Sequence, residues 1–382
     1  MVRSAELLPL SLYIHFPWCI QKCPYCDFNS HAVKNPIPEQ AYVDALLADL
    51  QADLALLGTS RLIQSMFMGG GTPSLFSPEA LFRLLAGVRQ SVPLAEQCEI
   101  TLEANPGTFE SAKFSEFRAL GINRLSIGIQ SFQDRHLRTL GRVHSAAEAK
   151  AAVEIAVKAG FDNFNLDLMF GLPDQSESEA LNDVETAISL APTHISFYQL
   201  TLEPNTYFYK FPPKLPEDDV IFAAQKCCQQ RLAEHGYQQY EVSAYAKPGK
   251  QSLHNRNYWQ FGDYVGIGAG AHGKISQTLP NKIMRTVKPR SPEQYLSQPS
   301  RSQCEPIDVA QLPLEFLMNQ LRLKAGFSLD HYAAATGLTA DSLEPNLSDC
   351  LEQGLLCRDG LVYTCTEKGW DFLDVVLEKF ID

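Results

Sequence analysis

The segment HFPWCIQKCPYCDFNSH, residues 15–31, determines how the rest of the chain is interpreted. It contains Cys19, Cys23 and Cys26 in a C-x3-C-x2-C spacing, and Phe28 stands where a fourth cysteine would continue the series. Thiolates are strong ligands for zinc and for iron–sulfur clusters. The spacing predicts a segment that binds a group through three thiolates and leaves one position open.

The residues of this segment leave three interpretations open. Pro24 lies between the cysteines and opposes a helix, because proline lacks a backbone N–H and clashes with the preceding turn, so a loop is predicted. The loop's three cysteines are then either structural thiols, zinc ligands completed by His15 or His31, or ligands of a [4Fe–4S] cluster in which one iron has no protein ligand. The downstream motifs decide between them.

Length and composition predict a globular protein with one large and one smaller unit. The chain has 382 residues, of which 45% are hydrophobic and 20% charged. No run of about 18 apolar residues occurs, so no membrane span is predicted. The N-terminal sequence lacks the apolar run and cleavage site of a signal peptide, which predicts a cytoplasmic protein.

Charge is unevenly distributed along the chain. The formal net charge is −12, which opposes general nucleic-acid binding. Residues 303–382 carry 14 acidic and 5 basic residues, whereas residues 247–290 carry 8 basic residues and only one acidic residue. The basic segment predicts an anionic ligand.

The remaining cysteines are predicted to be buried free thiols that pack as small apolar side chains, because a disulfide scaffold is not expected in a reducing compartment. They are Cys98, Cys227, Cys228, Cys304, Cys350, Cys357 and Cys365.

Strand-like and helical patterns alternate about six times between residues 11 and 236. Such alternation predicts an α/β fold with a parallel sheet, as a partial or complete (β/α) barrel, because parallel strands require helical crossovers. Three parts are predicted: a core at 1–236, a segment of short strands and glycine-rich loops at 237–302 that packs on the core, and a small α+β winged-helix-like unit at 303–382. In such folds the ends of the strands gather the chemistry.

Several polar or glycine-rich segments follow predicted strands. Gly70, Gly71 and Thr72 lie in MGGGTPS, where glycines allow the backbone to approach a ligand closely. Glu103 in LEANP and Asp167 in NLDLMFGLP end apolar strands, and a buried carboxyl group in such a place requires a partner. A structural ion pair or a helix cap is the alternative for each carboxyl group.

Together with these segments, the cysteine loop after the first strand resembles the radical S-adenosylmethionine superfamily. The resemblance implies that Cys19, Cys23 and Cys26 bind a [4Fe–4S] cluster and that its open iron binds the amino and carboxylate groups of S-adenosylmethionine. It also implies a glycine segment near the methionyl amino group and an acidic side chain near the ribose. The family positions that line the cluster and its ligand correspond to Tyr13, Tyr25, Gly70, Gly71, Thr72, Glu103, Gln130, Arg142 and Asp167.

Over residues 11–380 the motifs are similar to the branch that contains oxygen-independent coproporphyrinogen III dehydrogenase. Two departures oppose its decarboxylase activity. Phe28 replaces that enzyme's further cysteine, and the chain starts about ten residues before the first predicted strand, whereas the dehydrogenase has an N-terminal extension.

The string His254-Asn255-Arg256-Asn257-Tyr258-Trp259 resembles the H-N-x-x-Y-W signature of HemW-type heme chaperones. The resemblance implies that the protein binds heme and transfers it to an acceptor, for which a membrane-associated respiratory protein is the family's implication. The function expected is therefore a heme chaperone, with coproporphyrinogen III oxidase as the alternative and a radical methyltransferase as a third reading that no feature favours. Radical chemistry is left open, and no catalytic residue is assigned.

The residues of this signature fit a heme ligand on chemical grounds. A neutral imidazole such as that of His254 is a common heme ligand, and Tyr258 and Trp259 can pack on a macrocycle. His272 in GAGAHG is a second candidate ligand. The alternative is core packing with a solvated charged face. Cations predicted to pair with heme propionates are Arg256, Lys274, Lys282 and Arg285.

Overall fold

The computed structural model describes residues 8–58, 61–277 and 282–381. The strands within these ranges are β1 (Leu10–Phe16), β2 (Trp18–Cys19), β3 (His31–Ala32), β4 (Ile63–Gly70), β5 (Leu94–Ala104), β6 (Arg124–Gln130), β7 (Phe164–Phe170), β8 (His194–Gln199), β9 (Gln238–Glu241), β10 (Ala244–Ala246), β11 (Asp263–Ile267), β12 (His272–Gln277), β13 (Lys282–Val287), β14 (Gln303–Pro306), β15 (Phe327–Ser328), β16 (Leu356–Asp359) and β17 (Val362–Cys365).

The helices follow the strands in the predicted alternation. They are α1 (Glu39–Leu57), α2 (Pro78–Ser91), α3 (Thr108–Ser111), α4 (Phe114–Ala119), α5 (Asp134–Thr139), α6 (Ala146–Lys158), α7 (Glu177–Ser189), α8 (Tyr207–Lys210), α9 (Asp218–Glu234), α10 (Leu253–Trp259), α11 (Pro292–Ser297), α12 (Leu312–Gln320), α13 (Leu329–Thr336), α14 (Asn346–Glu352), α15 (Glu367–Asp371) and α16 (Leu373–Glu378). None of the helices in the described ranges combines the length and apolar character that a membrane span requires.

A twelve-stranded sheet forms the centre of the structure, in the order β14-β13-β12-β11-β1-β4-β5-β6-β7-β8-β10-β9. The strands from β11 to β8 in this order are parallel, and the flanking strands are antiparallel. β14 and β9 are the two ends of this order, so the described sheet is open. The prediction of an α/β fold with parallel strand–helix units, in the partial form of the barrel, and a small C-terminal unit is confirmed.

Local sequence explains why the helices begin where they do. Ser145 and Ser176 form capping boxes with Glu148 and Glu179 at the starts of α6 and α7. Each serine hydroxyl and each glutamate satisfies a backbone N–H that a helix start leaves without a partner. The buried faces of the helices pack on the sheet and form one large apolar core with the interior strands.

The helical pattern FESAKFSEFRAL, residues 109–120, does not form one continuous helix. The structure has α3 and α4 with a break at Lys113, whose ammonium group donates hydrogen bonds to the backbone carbonyls of Ser74, Leu75 and Phe76. Lys113 thereby ties the break to the turn that follows β4. Helical periodicity does not report such a tertiary contact.

The segment from 237 to 302 contributes more to the sheet than its sequence pattern indicates. β11 inserts beside β1 in parallel, and β12 and β13 extend the sheet from it. Buried Asp263 at the start of β11 is paired with Arg61 and Lys274 at 2.7 and 3.0 Å. These ion pairs fix the polar end of β11 within the sheet.

The C-terminal unit contains a three-stranded sheet in the order β15-β17-β16 and most of a second apolar core, to which Phe261 and Ile283 of the preceding segment also contribute. Its hairpin turns after Asp359 at Gly360, which has a φ of +58°, as the Asp-Gly sequence predicts. Backbone hydrogen bonds attach the unit to β9, because Val242 N–H donates to the Arg322 carbonyl and Lys324 N–H donates to the Tyr240 carbonyl. These bonds bring the Arg322 side chain to the central sheet.

The seven cysteines outside the first segment are free thiols in the structure, but they are not all buried. Cys98, Cys228 and Cys350 are buried, whereas Cys357 on the hairpin is exposed. The prediction of burial was wrong for Cys357 because β16 is a short edge strand with one face in solvent. Cys227, Cys304 and Cys365 are half-buried.

Candidate functional site

The carboxyl ends of the parallel strands surround a cavity of about 400 Å³ that we call the cysteine cavity. Its lining includes Cys19, Cys23 and Cys26 together with the glycine segment after β4. The predicted site residues that also line it are Tyr25, Gly70, Gly71, Thr72, Glu103, Gln130, Arg142 and Asp167. The structure thus brings together residues that are up to about 150 positions apart in the sequence.

The cysteine segment is held as a loop across the end of β1. β2 and β3 pair in parallel, and Val33 N–H donates to the Cys19 carbonyl at 2.9 Å. Burial raises the pKa of the Cys19 and Cys26 thiols. The Arg142 guanidinium lies 3.6 Å from the Cys23 sulfur. A bound metal cluster would counter the cost of burying these thiolates.

The geometry does not favour the zinc alternative. Both ring nitrogens of His15 are engaged, by the Tyr13 hydroxyl at 2.9 Å and the Asn29 carbonyl at 2.8 Å, and His31 is exposed on β3. Throughout the described ranges, no three histidine, cysteine or acidic side chains converge on a single metal ion. Three thiols that line one cavity without converging on a point fit a polynuclear cluster better than one ion.

The glycine segment has no room for side chains. Gly70 has a φ of +106°, and a Cβ there would lie 2.3 Å from the His15 ring. A Cβ on Gly71 would lie 2.6 Å from the backbone oxygens of Phe16 and Trp18. Glycine is therefore required where this backbone passes between the cysteine loop and β1.

Two half-buried residues, Glu103 and Asp167, place their carboxyl groups in the lining of the cavity. Burial and the neighbouring Asp167 raise the pKa of Glu103 to about 8, against the hydrogen bond that Gly70 N–H donates to it at 3.0 Å. Burial also raises the pKa of Asp167, although Asn165 and Ser126 donate hydrogen bonds to it at 2.8 and 3.1 Å. Both groups are poised to accept or donate hydrogen bonds to a polar ligand.

Gln130 and Arg142 complete the polar wall through partners that sequence reasoning missed. Gln130 has a φ of +70°, and its amide oxygen accepts a hydrogen bond from the Tyr198 hydroxyl at 2.6 Å. Arg142 donates to the Asn105 amide oxygen at 2.6 Å. Tyr198 lies near the end of β8, so the strand-end rule that selected Glu103 would have found it.

A second cavity of about 920 Å³, which we call the larger cavity, adjoins the cysteine cavity. The two share Phe28, Glu103, Asp167, Asn255 and Trp259 in their linings. Tyr13 lines only the larger cavity, so it lies apart from Tyr25. Aromatic rings dominate the wall of the larger cavity, namely those of Tyr13, Phe28, Phe67, Tyr258, Trp259 and Tyr264.

His254 lines the larger cavity from helix α10. Its ring stacks on Phe67 at a centroid distance of 5.0 Å and lies 6.1 Å from Tyr13. Burial and then Arg124 lower its pKa to about 3, so the imidazole is neutral at pH 7, and its buried Nδ1 has no hydrogen-bond partner. Glu99 anchors the helix by accepting from Leu253 N–H at 2.9 Å. A neutral, fixed imidazole is a suitable metal ligand.

Other candidates from the same segment are placed differently. His272 also lines the larger cavity, and burial lowers its pKa. One face of Trp259 is covered by the Arg322 guanidinium, 4.4 Å from the ring centroid, and Tyr258 meets Trp259 edge-on. That face of Trp259 is therefore not available to a macrocycle.

The cations that the sequence suggested for anionic groups do not line the larger cavity. Lys274 pairs with buried Asp263, and Arg285 pairs with Glu315 at 2.6 Å. The distribution of charge along the sequence shows where the basic segment lies, but it does not show which way the basic side chains point. The full set outside the lining is Arg256, Lys274, Lys282 and Arg285, and the arginines that line the cavity instead are Arg124 and Arg290.

With this geometry in place, comparison with known proteins gives the class of protein. The family model of the radical SAM superfamily matches residues 13–187, and that of the HemN C-terminal domain matches residues 307–372. The fold matches a solved structure of coproporphyrinogen III oxidase (HemN) from Escherichia coli with a TM-score of 0.81, over 99% of this chain and 91% of that one. At 22% identity this likeness concerns the fold alone. The protein is a radical SAM protein.

Full-length relatives narrow the assignment. The chain is 49% identical to a protein named heme chaperone HemW from Escherichia coli, over 98% of this chain and 99% of the relative. It is 48% identical to the protein of that name from Haemophilus influenzae, with the same coverage, and 35% identical to that from Bacillus subtilis, over 94% of this chain and 96% of the relative. The chain belongs to the HemW family. Membership of the radical SAM superfamily implies a [4Fe–4S] cluster and S-adenosylmethionine as cofactors.

Proposed function

We propose that the protein is a heme chaperone that binds heme in the larger cavity and transfers it to an acceptor protein. The observation that carries the proposal is the buried, neutral imidazole of His254, which faces a cavity of about 920 Å³ walled by aromatic rings. This volume lies toward the upper end of the range for small-molecule sites, about 300–1,000 Å³. The name of the full-length relatives supports the same ligand.

In the same proposal, Cys19, Cys23 and Cys26 hold the [4Fe–4S] cluster at the cysteine cavity. When bound, a cluster with an open iron supplies a site for the amino acid part of S-adenosylmethionine and an electron for its reductive cleavage. The protein's own part is to position and enclose the ligand. The groups proposed to position and enclose S-adenosylmethionine are of three kinds. They are the backbone of Gly70 and Gly71 with Thr72, the carboxyl groups of Glu103 and Asp167, and the side chains of Tyr25, Gln130 and Arg142.

In this proposal the heme-binding site is formed by the groups around His254. Tyr13 and Phe67 both pack against the imidazole, at ring distances of 6.1 and 5.0 Å. His272 is the second candidate ligand on the same cavity. Aromatic walls suit a planar apolar macrocycle, because they bury large areas at little entropic cost.

The alternative activity is oxidative decarboxylation of coproporphyrinogen III. The further cysteine that would favour it is replaced by Phe28 in this chain. Phe28 lies between the two cavities, and its side chain is 60% exposed and carries no thiol. Anaerobic reconstitution with iron and sulfide, followed in parallel by heme titration and a coproporphyrinogen decarboxylation assay, separates the two activities. Stoichiometric heme uptake without decarboxylation is expected, and decarboxylation without retained heme would overturn the proposal.

The His254→Ala variant tests the ligand assignment. We expect heme affinity to fall by at least about tenfold, because an iron ligand is lost, while the cluster absorbance is unchanged. His235→Ala, at the end of α9 and outside both cavities, is the matched control and should bind heme as the wild type does. If His254→Ala binds normally and His272→Ala does not, the ligand is His272.

Location, acceptor and domain division belong to the proposal as well. All ten cysteines are free thiols in the structure, which supports a reducing compartment, and we place the protein in the cytoplasm. The acceptor proposed is a membrane-associated respiratory protein. The division at 1–236, 237–302 and 303–382 is supported by a second apolar core that residues of the last part mainly form, with Phe261 and Ile283 from the middle segment.

A further inference from the structure

The larger cavity has an acidic end and a basic end. Its acidic lining residues, Glu103 and Asp167, also line the cysteine cavity, so they lie where these two cavities meet. Arg290 lines the larger cavity but not the cysteine cavity, and it also lines a third cavity of about 490 Å³. The shared residues therefore order the three cavities, with the larger cavity between the other two.

The third cavity, which we call the basic cleft, has no carboxylate in its lining. Arg290 and Arg301 line it with the amides of Gln294 and Gln298, and Arg301 donates to the Gln298 amide oxygen at 3.2 Å. Within the described ranges neither arginine forms an ion pair with a carboxylate. In a chain with a net charge of −12, two such arginines beside a ligand cavity indicate an anionic ligand group.

Other cations near this region have their charges already balanced. Lys288 also lines the basic cleft, but its ammonium is buried against Asp49 and Asp53 at 2.5 and 2.7 Å. Arg124 lines the larger cavity, but it is buried with Glu99 at 3.9 Å. The cations that remain for an incoming anion are those of the basic cleft.

A heme carries its two propionate carboxylates on one edge of the ring. Directed toward Glu103 and Asp167, they would bring further negative charge to carboxyl groups whose pKa values burial already raises, so the charged form of each carboxylate would be disfavoured there. Directed toward Arg290, they meet a guanidinium that can bind a carboxylate through two hydrogen bonds. His254 lines the same larger cavity and is not part of the basic cleft.

On the basis of the proposed function, we propose that Arg290 and the basic cleft form a carboxylate-binding subsite that orients heme in the larger cavity. Arg290 binds one propionate directly at the boundary of the two cavities. Arg301 lies in the basic cleft and contributes to the binding of the second propionate. The ligand class is a porphyrin with free carboxylates on one edge.

The experiment compares heme with its dimethyl ester, which lacks the carboxylate charges, on the reconstituted full-length protein by absorbance titration. The wild type should bind heme about tenfold more tightly than the ester. Arg290→Gln should weaken heme binding about tenfold and leave ester binding unchanged. Arg301→Gln should have the same selectivity with a smaller effect, and the exposed Arg138→Gln on α5 should change neither affinity.

The outcomes separate this subsite from the proposed function. Equal affinity of the wild type for both ligands, or equal weakening of both by Arg290→Gln, would overturn the subsite while heme binding stands. A wild type that binds neither ligand would overturn the proposed function and the subsite with it. Loss of discrimination in Arg290→Gln alone supports the subsite.

Discussion

The cysteine cavity and the larger cavity share a wall, yet they present different polar groups to a ligand. In the cysteine cavity, Glu103 accepts from Gly70 N–H, Gln130 from Tyr198, and Arg142 donates to Asn105. Both cavities also contain buried nitrogens without a hydrogen-bond partner, those of Arg142 and Arg322 in the cysteine cavity and those of His254 and Arg124 in the larger cavity. Buried polar groups usually form hydrogen bonds, so these nitrogens are candidate contacts for a polar ligand in either cavity.

The two cavities are also formed by different parts of the chain. The cysteine cavity takes its principal groups from the ends of successive parallel strands, which the sequence displays as separate short motifs. The larger cavity combines those strands with α10, the segment after β11 and the end of β13. It therefore depends on how the segment from 237 to 302 folds back onto β1. The following predictions, ordered by expected effect, test whether the two cavities act separately.

Cys23→Ser should abolish cluster binding and leave heme binding within about twofold of the wild type. Loss of one of three thiolates removes an essential ligand, whereas His254 is on another wall. The measurement is iron content and absorbance near 400 nm after reconstitution, with heme titrated separately. Cys357→Ser, on the exposed hairpin, should retain the cluster. Loss of heme binding together with the cluster would mean that the cavities form a single cooperative site.

Glu103→Gln should alter the pH dependence of stability in protein free of cluster and S-adenosylmethionine. The pKa of Glu103 is raised to about 8 in the folded state, so the folded protein retains a proton that the unfolded chain releases above its ordinary pKa near 4.5. Wild-type stability therefore falls as pH rises through this window, by about 1.4 kcal/mol per pH unit at most. The variant has no carboxyl group here. Between pH 5 and 8 its free energy of unfolding should therefore rise relative to that of the wild type, by up to about 4 kcal/mol.

Denaturant unfolding at several pH values measures this effect. Glu96→Gln, exposed on the same strand, is the control and should follow the wild-type curve. Asp167, Tyr13 and Tyr198 are electrostatically coupled to Glu103, so the difference between the two proteins reports the titration of Glu103 together with its effect on these groups. A stability difference between Glu103→Gln and wild type that does not change with pH would contradict a neutral Glu103.

Arg322→Met should weaken the attachment of the C-terminal unit by about 1–2 kcal/mol. The substitution removes the cation from the face of Trp259 and leaves buried Glu241 without its partner at 3.4 Å. Denaturant unfolding followed by tryptophan fluorescence measures both effects. Arg358→Met, 5.4 Å from the Tyr363 ring on the hairpin, should cost less. Equal losses in the two variants would show that Arg322 has no special role at Trp259 and Glu241.

The sequence by itself determined the parts of the protein in which neighbouring residues act together. The cysteine spacing, the glycine segment and the strand–helix alternation each lie within a short stretch, so periodicity and local backbone constraints report them directly. The predicted carboxyl groups of Glu103 and Asp167 meet because parallel strands end at one edge of a sheet. The signature of residues 254–259 selected His254 as a candidate heme ligand but did not reveal that this residue lies on helix α10.

Only the tertiary structure decided which long-range partners each side chain meets. In the folded protein Lys274 pairs with Asp263 and Arg285 pairs with Glu315, whereas Arg290 lines both the larger cavity and the basic cleft. The net charge of a segment cannot tell a cation that is paired within the protein from one that lines a cavity. The balance between desolvation and ion pairing depends on which residues approach each other in space. The direction of a cation is set by packing, and packing is set by the whole sheet.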